Sequence, residues 1–217
     1  MKASPIKKNP GKKSKTSKQW MREHVSDPFV QLAQKEGYRS RAAYKLLEID
    51  AKDQLLKPGI VVVDLGATPG GWSQVATAKV GRGGKVIALD LLPLDPLAGV
   101  DFIQGDFREE EPYRALVGAL GEHKADLVIS DIAPNITGMG SVDQPRAMYL
   151  AELALELAKQ VLKPGGHMLV KVFQGEGSDA YLRSIREVFA SVTIRKPKAS
   201  RPRSREVYAL ARNFKVV

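Results

Sequence analysis

Ile60-Val-Val-Val-Asp-Leu-Gly-Ala-Thr-Pro-Gly-Gly-Trp-Ser73 is the stretch that decides how the rest of the chain is read. Its β-branched run predicts a buried parallel strand over 60–64, ending on Asp64. A turn holding Gly66, Pro69, Gly70 and Gly71 follows, and then a helix-compatible segment over 72–79. Strand, Gly-rich turn and helix in that order build a nucleotide-type site at the carboxyl edge of an open α/β sheet. Glycine belongs there because a bulky Cβ would keep the backbone from closing on a ligand. Thr68 and Pro69 occupy the places where a dinucleotide fingerprint needs its second glycine and the residue after it. The turn therefore does not suit a pyrophosphate. An acid at the strand end beside such a turn suits S-adenosylmethionine, which carries a cationic amino acid moiety and no phosphate. The competing reading is a tight βα turn without a ligand.

Outward from this stretch the chain alternates strand and helix. Helices are expected over 27–35 and 40–51, joined at Gly37, with Ser40 as N-cap of the second. Further strands are expected over 85–90, 101–104, 126–131 and 167–173, and two more near Val192 and over 207–211. Helices are expected over 112–120, 144–162 and 178–189, the second of these stopping at a Lys163-Pro-Gly-Gly166 turn. The pattern predicts one doubly wound α/β domain, with a mostly parallel sheet and helices on both faces. Residues 1–17 hold almost nothing apolar and are expected to form a disordered basic arm ahead of a single domain over 18–217.

Acids recur where this architecture binds ligands. Asp64 ends the first strand, and Asp90 ends the second, about 20 residues past the glycines, where nucleotide folds place an acid on the ribose. Asp106 follows the third strand and Asp131 ends the fourth. Each alone could be a cap or a polar loop residue, but the repetition at successive strand ends points to a site. Lys171 is out of place in a second way: it interrupts Met168-Leu-Val-Lys-Val-Phe173, which otherwise reads as a buried strand. Lysine is almost never fully buried without a partner. Either it snorkels at an edge, or it is a lysine with a task, such as general base.

At 217 residues the chain has room for one α/β core plus short extensions. It has no cysteine, so disulfides and thiolate metal sites are excluded. His24, His123 and His167 are too scattered for a metal-ligand pattern, and no metal is expected. No apolar run approaches the ~18–20 residues that span a bilayer, and the basic N-terminus lacks the apolar centre of a signal peptide. A soluble cytoplasmic protein without a membrane partner is expected.

The net charge of +10 is unevenly spread. Residues 1–22 hold eight lysines or arginines and no acid, and residues 195–205 hold six and again no acid. The remainder has 20 basic against 24 acidic residues. A mildly acidic body with two basic attachments is the footprint of a protein that binds a phosphate backbone. The plainer reading is a solvated tail, but the second cluster abuts the sheet's end.

Five segments together resemble a known family. They are Asp64-Leu-Gly-Ala-Thr-Pro-Gly-Gly-Trp-Ser-Gln74, Gly37-Tyr-Arg-Ser-Arg-Ala-Ala-Tyr-Lys-Leu46, Ser130-Asp-Ile-Ala-Pro-Asn135, Val170-Lys-Val-Phe-Gln-Gly175 and Ser200-Arg-Pro-Arg-Ser-Arg-Glu-Val-Tyr208. They are similar to the FtsJ/RrmJ family of S-adenosylmethionine-dependent ribose 2′-O-methyltransferases, over about residues 17–212. Thr68 departs from the alanine more usual in that family. Within the family the chain looks most like the bacterial members that methylate a uridine ribose in the A-loop of large-subunit (23S) ribosomal RNA. The resemblance implies a Rossmann-like methyltransferase fold and a catalytic tetrad at Lys45, Asp131, Lys171 and Glu206. It implies cofactor contacts at Gly70, Trp72, Asp90, Asp106 and Asp131, and at Asp64 too. It also implies a substrate presented on the large subunit or its precursor; a monomer is assumed. Lys45 and Glu206 rest on the resemblance alone, since periodicity makes Lys45 an ordinary helix-face lysine. Three other readings compete. A nicotinamide oxidoreductase on the same architecture is opposed by Thr68-Pro69 and by the lack of a Tyr-x-x-x-Lys pair. A non-catalytic RNA-binding assembly factor is opposed by the intact tetrad. A transfer-RNA enzyme of the same family is not separable by charge.

Overall fold

The computed structural model describes residues 25–215. The expected basic arm, the boundary at residue 18 and His24 lie outside the described residues. Among those described, seven strands form one sheet in the order β3-β2-β1-β4-β5-β7-β6. They are β1 (Val61–Leu65), β2 (Lys85–Asp90), β3 (Val100–Gln104), β4 (Ala125–Ser130), β5 (Leu162–Phe173), β6 (Phe189–Arg195) and β7 (Glu206–Phe214). All neighbours from β3 across to β5 run parallel, while β7 is antiparallel to both β5 and β6. The sheet order reverses beside β1, and β1 and β4 stand next to each other at its centre, so their carboxyl ends flank the crevice where open α/β sheets bind ligands.

Among the described residues six helices accompany it: α1 (Pro28–Glu36), α2 (Ala43–Asp53), α3 (Gly71–Val80), α4 (Glu110–Leu120), α5 (Gly140–Val161) and α6 (Ser178–Val188). Strand residues alternate between two cores. Val63, Ile87, Val128, Met168, Val170 and Ala209 face α4, α5 and α6. Val62, Val86, Ile129, Leu169 and Leu210 face α2 and α3, where they meet Leu46, Ile49, Trp72 and Val75. The period of two carries this second face onward to the strand ends. Asp64 follows Val62, Lys171 follows Leu169, and Tyr208 and Glu206 precede Leu210 at even spacing, so all four belong to the face covered by α2 and α3.

Some boundaries differ from expectation for identifiable reasons. Ser40 is not the N-cap of α2; that position is Ala42, without a side-chain cap, and the Ser40 carbonyl instead accepts the Ala43 N–H in a preceding turn. Helix α5 starts at Gly140, not 144, and carries Pro145 in its second turn at the loss of one backbone bond. The expected turn at 163–166 is a bulge within β5. Leu162 is buried and pairs with Ala125, His167 pairs with Leu127, and the register slips between them.

Candidate active site

The tetrad residues come from four separate elements and meet at the carboxyl edge of the sheet. Lys45 sits in the first turn of α2, Asp131 just past β4, Lys171 near the end of β5, and Glu206 at the start of β7. Lys171 Nζ lies 3.0 Å from Asp131 Oδ1 and donates to the Asp131 carbonyl at 2.6 Å. Lys45 Nζ lies 2.8 Å from Glu206 Oε1 and 3.8 Å from Asp131 Oδ1. The Tyr208 hydroxyl donates to Asp131 Oδ1 at 2.5 Å, and Lys45 Nζ stands 5.7 Å from the Tyr208 ring centroid. Register explains the contact: Tyr208 is the cross-strand partner of Lys171, and Glu206 that of Phe173. Lys45 and Lys171 are each only 7% exposed and Glu206 8%, so the two lysines and two carboxylates compensate one another out of bulk water.

Burial and charge oppose each other at both carboxylates. Burial pushes Asp131 up, but the ammonium groups of Lys171 and Lys45 and the Tyr208 hydroxyl hold it below the ordinary aspartate value. Glu206 behaves alike: burial raises it, and Lys45, Ser200 and Lys171 together outweigh that burial. Tyr208 moves the other way, because burial and then the charges of Asp131 and Glu206 make its phenolate more costly.

The cofactor side adjoins the tetrad. Gly70, at φ +107°, turns the chain into α3, which has no side-chain cap and no acid in its first turn. Its first amides lack intrahelical partners and suit a ligand carboxylate. The Trp72 indole N–H donates to Ala42 O at 2.8 Å, and its ring lies 5.6 Å from that of Tyr208, joining cofactor turn to tetrad. Asp64 is 1% exposed and accepts the Ser73 hydroxyl at 2.6 Å. Asp90 accepts the Thr68 and Leu92 amides at 2.9 and 2.8 Å, which fixes the turn against the end of β2. Asp106 stands apart from these and is taken up by Arg108, whose Nε lies 2.9 Å from both carboxylate oxygens, and Arg108 lowers the Asp106 pKa. These residues fit S-adenosylmethionine: an open helix end, and carboxylates toward a cationic amino group and ribose hydroxyls.

Three supporting residues escape a reading of the sequence. Arg39 donates to the carbonyls of Asp95 and Pro96, both at 2.7 Å, and its side chain packs where a Cβ on Gly70 would stand. It ties the α1–α2 loop to both sides of the cofactor turn. Asp27, the N-cap of α1, lies 3.2 Å from Arg41 Nε and 3.8 Å from Arg201 Nε. Lys196 donates to the carbonyls of Ser204 and Glu206 at 2.7 and 2.5 Å and so closes the loop leading into the tetrad. Besides Arg201, two other cations of the 195–205 cluster are engaged within the protein. Arg195 makes two 2.7 Å bonds to Asp53, and Lys196 is spent on backbone carbonyls. Nothing in the sequence marks these pairings, since the partners are brought together only by the fold.

Among the described residues no group of three or more His, Asp or Glu side chains has metal-holding geometry, and no helix is long and apolar enough to cross a membrane.

Comparison with known proteins agrees with this arrangement. A family model described as FtsJ-like methyltransferase matches residues 38–214. Ribosomal RNA large subunit methyltransferase E of Pseudomonas paraeruginosa is 58% identical over 203 residues, covering 94% of this chain and 98% of that protein. The protein of the same name from Marinobacter nauticus is 58% identical over 204 residues, covering 94% and 99%. Among solved structures, a ribosomal RNA methyltransferase from Plasmodium falciparum superposes with a TM-score of 0.72 at 31% identity, covering 82% of this chain and 98% of that one. Fibrillarin from Aeropyrum pernix, with S-adenosyl-L-methionine bound, shares the fold alone, at TM-score 0.55 and 18% identity over 80% of this chain and 75% of its own. With the model spanning most of the chain and relatives matching it nearly end to end, the chain belongs to the FtsJ-like methyltransferase family.

Proposed function

We propose that this protein methylates the 2′-hydroxyl of a uridine ribose in large-subunit ribosomal RNA, with S-adenosylmethionine as methyl donor. The observation that carries the reading is the buried Lys45–Glu206, Lys171–Asp131 constellation beside an S-adenosylmethionine-type turn. When bound, the cofactor supplies an electrophilic methyl group on a sulfonium. What remains for the chain is to place a weak nucleophile and take its proton, and positioning is a large share of such catalysis.

Lys171 takes the proton from the 2′-oxygen as that oxygen attacks. Asp131 fixes the position of Lys171 through its carbonyl and carboxylate, and Tyr208 fixes Asp131. Lys45, held by Glu206, binds the ribose or its phosphate. Gly70, Trp72, Asp64, Asp90, Asp106 and Asp131 would hold the cofactor, Asp106 near the adenine. Arg201, Arg203 and Arg205 hold the RNA backbone next to Glu206. The names of the relatives favour ribosomal over transfer RNA. The A-loop uridine on the large subunit or its precursor is the target we assign, for a monomeric enzyme working in the cytoplasm where that particle is made.

The test is methyl transfer from labelled S-adenosylmethionine to large subunits from cells lacking the gene, with the product mapped by its resistance to alkaline cleavage. One new 2′-O-methyl uridine in 23S ribosomal RNA is expected. Label entering transfer RNA, or a base instead of a ribose, would contradict the proposal.

A further inference from the structure

Past Asp131, residues 132–139 run along the rim of the site before α5 begins, and two large apolar side chains on this segment face water. Ile136 is 60% exposed and Met139 58%. Exposed apolar side chains are common on a loose loop, but this one is held firmly. The Asp143 carboxylate, on a residue 8% exposed, accepts the Thr137 N–H at 2.9 Å, the Thr137 hydroxyl at 2.8 Å and the Gly138 N–H at 2.9 Å. The Thr137 oxygen in turn accepts the Met139 N–H at 3.2 Å. These bonds close the turn between Ile136 and Met139, so the chain fixes both residues in an outward position.

The two ends of the segment say what it stands between. At its start Ile132 packs where a Cβ on Gly66 would be, 2.9 Å away, so the segment leaves from the cofactor turn. At its end the Arg205 guanidinium lies 4.0 Å from the Cβ position of Gly140, so it arrives at the basic segment that precedes Glu206. An apolar pair flanked by a methyl-donor site on one side and an arginine on the other matches a nucleotide: apolar face to the base, cation to the phosphate. The recessed tetrad adds the need. Lys171 is nearly buried, so a ribose reaching it must bring its nucleotide out of a helical stack, and the unstacked base then requires a new apolar surface. Isoleucine and methionine are among the side chains proteins place against opened base steps, and the methionine thioether adapts readily to a flat partner.

We infer that Ile136 and Met139 form the seat of the unstacked target base, held in place by Asp143. This rests on the ribosomal RNA methyltransferase reading above.

The experiment compares wild type with an Ile136→Ser, Met139→Ser double variant and an Ile136→Leu, Met139→Leu control. Substrates are large subunits from cells lacking the gene and protein-free ribosomal RNA extracted from them, assayed in single-turnover methyl transfer. The serine variant is expected to lose about tenfold or more in rate on both substrates, in keeping with removal of one surface against which a base stacks. Its S-adenosylmethionine affinity should stay within about twofold of wild type, and the leucine variant should keep most of the rate, because the seat requires apolar area and not a particular shape. A serine variant within about twofold of wild type on both substrates overturns the inference. Where wild type methylates both substrates, a defect confined to assembled subunits also overturns it, since that pattern belongs to a contact with ribosomal protein. Wild type inactive on both substrates would instead defeat the underlying reading.

Discussion

Asp64 shows how one buried side chain sets a pH response. Burial pushes its carboxyl up to about 7, with Ser73 opposing and the charges of Asp131 and Asp90 adding. A folded pKa above the ordinary 3.8 means a contribution to stability fully present below about pH 4 and lost as pH rises through 7. The shift corresponds to about 4 kcal/mol as an upper bound. Asp64→Asn keeps the size of the side chain and cannot ionise. Denaturant titrations at about pH 5 and about pH 8 should therefore show a smaller loss of stability in the variant than in wild type; an equal loss would mean that Asp64 is already ionised in the folded state. Asp131 and Glu206, both lowered, act in the opposite direction and lose their contribution only as pH falls below the ordinary carboxylate range. Asp90, proposed above to hold the cofactor, anchors the Thr68 amide. Asp90→Ala should raise the S-adenosylmethionine Kd about tenfold or more, with turnover largely restored at saturating cofactor. An unchanged Kd with a lower kcat would place Asp90 among the groups acting on the RNA.

At the scale of elements, the loop from Lys196 to Glu206 is tied down on both sides of its path into β7. Lys196 holds the carbonyls of Ser204 and Glu206, and Arg41 donates to Ala199 O at 2.5 Å. Lys196→Ala should lower kcat about tenfold or more by releasing Glu206, with cofactor affinity unchanged and part of the rate recovered in Lys196→Arg. A variant that only melts earlier, with normal kcat, would make Lys196 a structural tie. Element order and strand polarity are legible in the sequence because hydrophobic runs and Gly or Pro breaks report local structure directly. Asp131 and Lys171 are legible for the same reason: an acid at a strand end and a lysine in an apolar strand violate a local rule. Lys45 violates none. It lies four residues before the buried Ile49, at the margin of the α2 stripe, and only the partner Glu206, brought by β7, reveals its burial. Glu206 itself leaves one faint mark, an acid between a basic run and the apolar start of β7. The 163–166 bulge is not legible, because Pro and Gly mark a break without saying on which side the strand pairs.

For the whole molecule the issue is how an acidic body with basic attachments divides binding from chemistry. Deleting residues 1–17 removes six lysines. If these touch phosphates, RNA affinity should fall and its log–log salt slope should become shallower by about 0.7–0.9 for each phosphate no longer neutralised. Neutralising Arg201, Arg203 and Arg205 should also impair turnover at saturating RNA, because these residues lead directly into Glu206. Binding-only effects from both changes would limit Arg201, Arg203 and Arg205 to holding the RNA and weaken the role given to Glu206. The proposed general base is Lys171, a lysine buried within the sheet, against Asp131 and across from Tyr208. The most direct measurement is therefore single-turnover methyl transfer by Lys171→Ala alongside its S-adenosylmethionine Kd from calorimetry. A general base at this position predicts a rate lower by ~10²- to 10⁴-fold, with a Kd close to wild type. More than about a tenth of the wild-type rate, with the cofactor bound normally, would contradict that role.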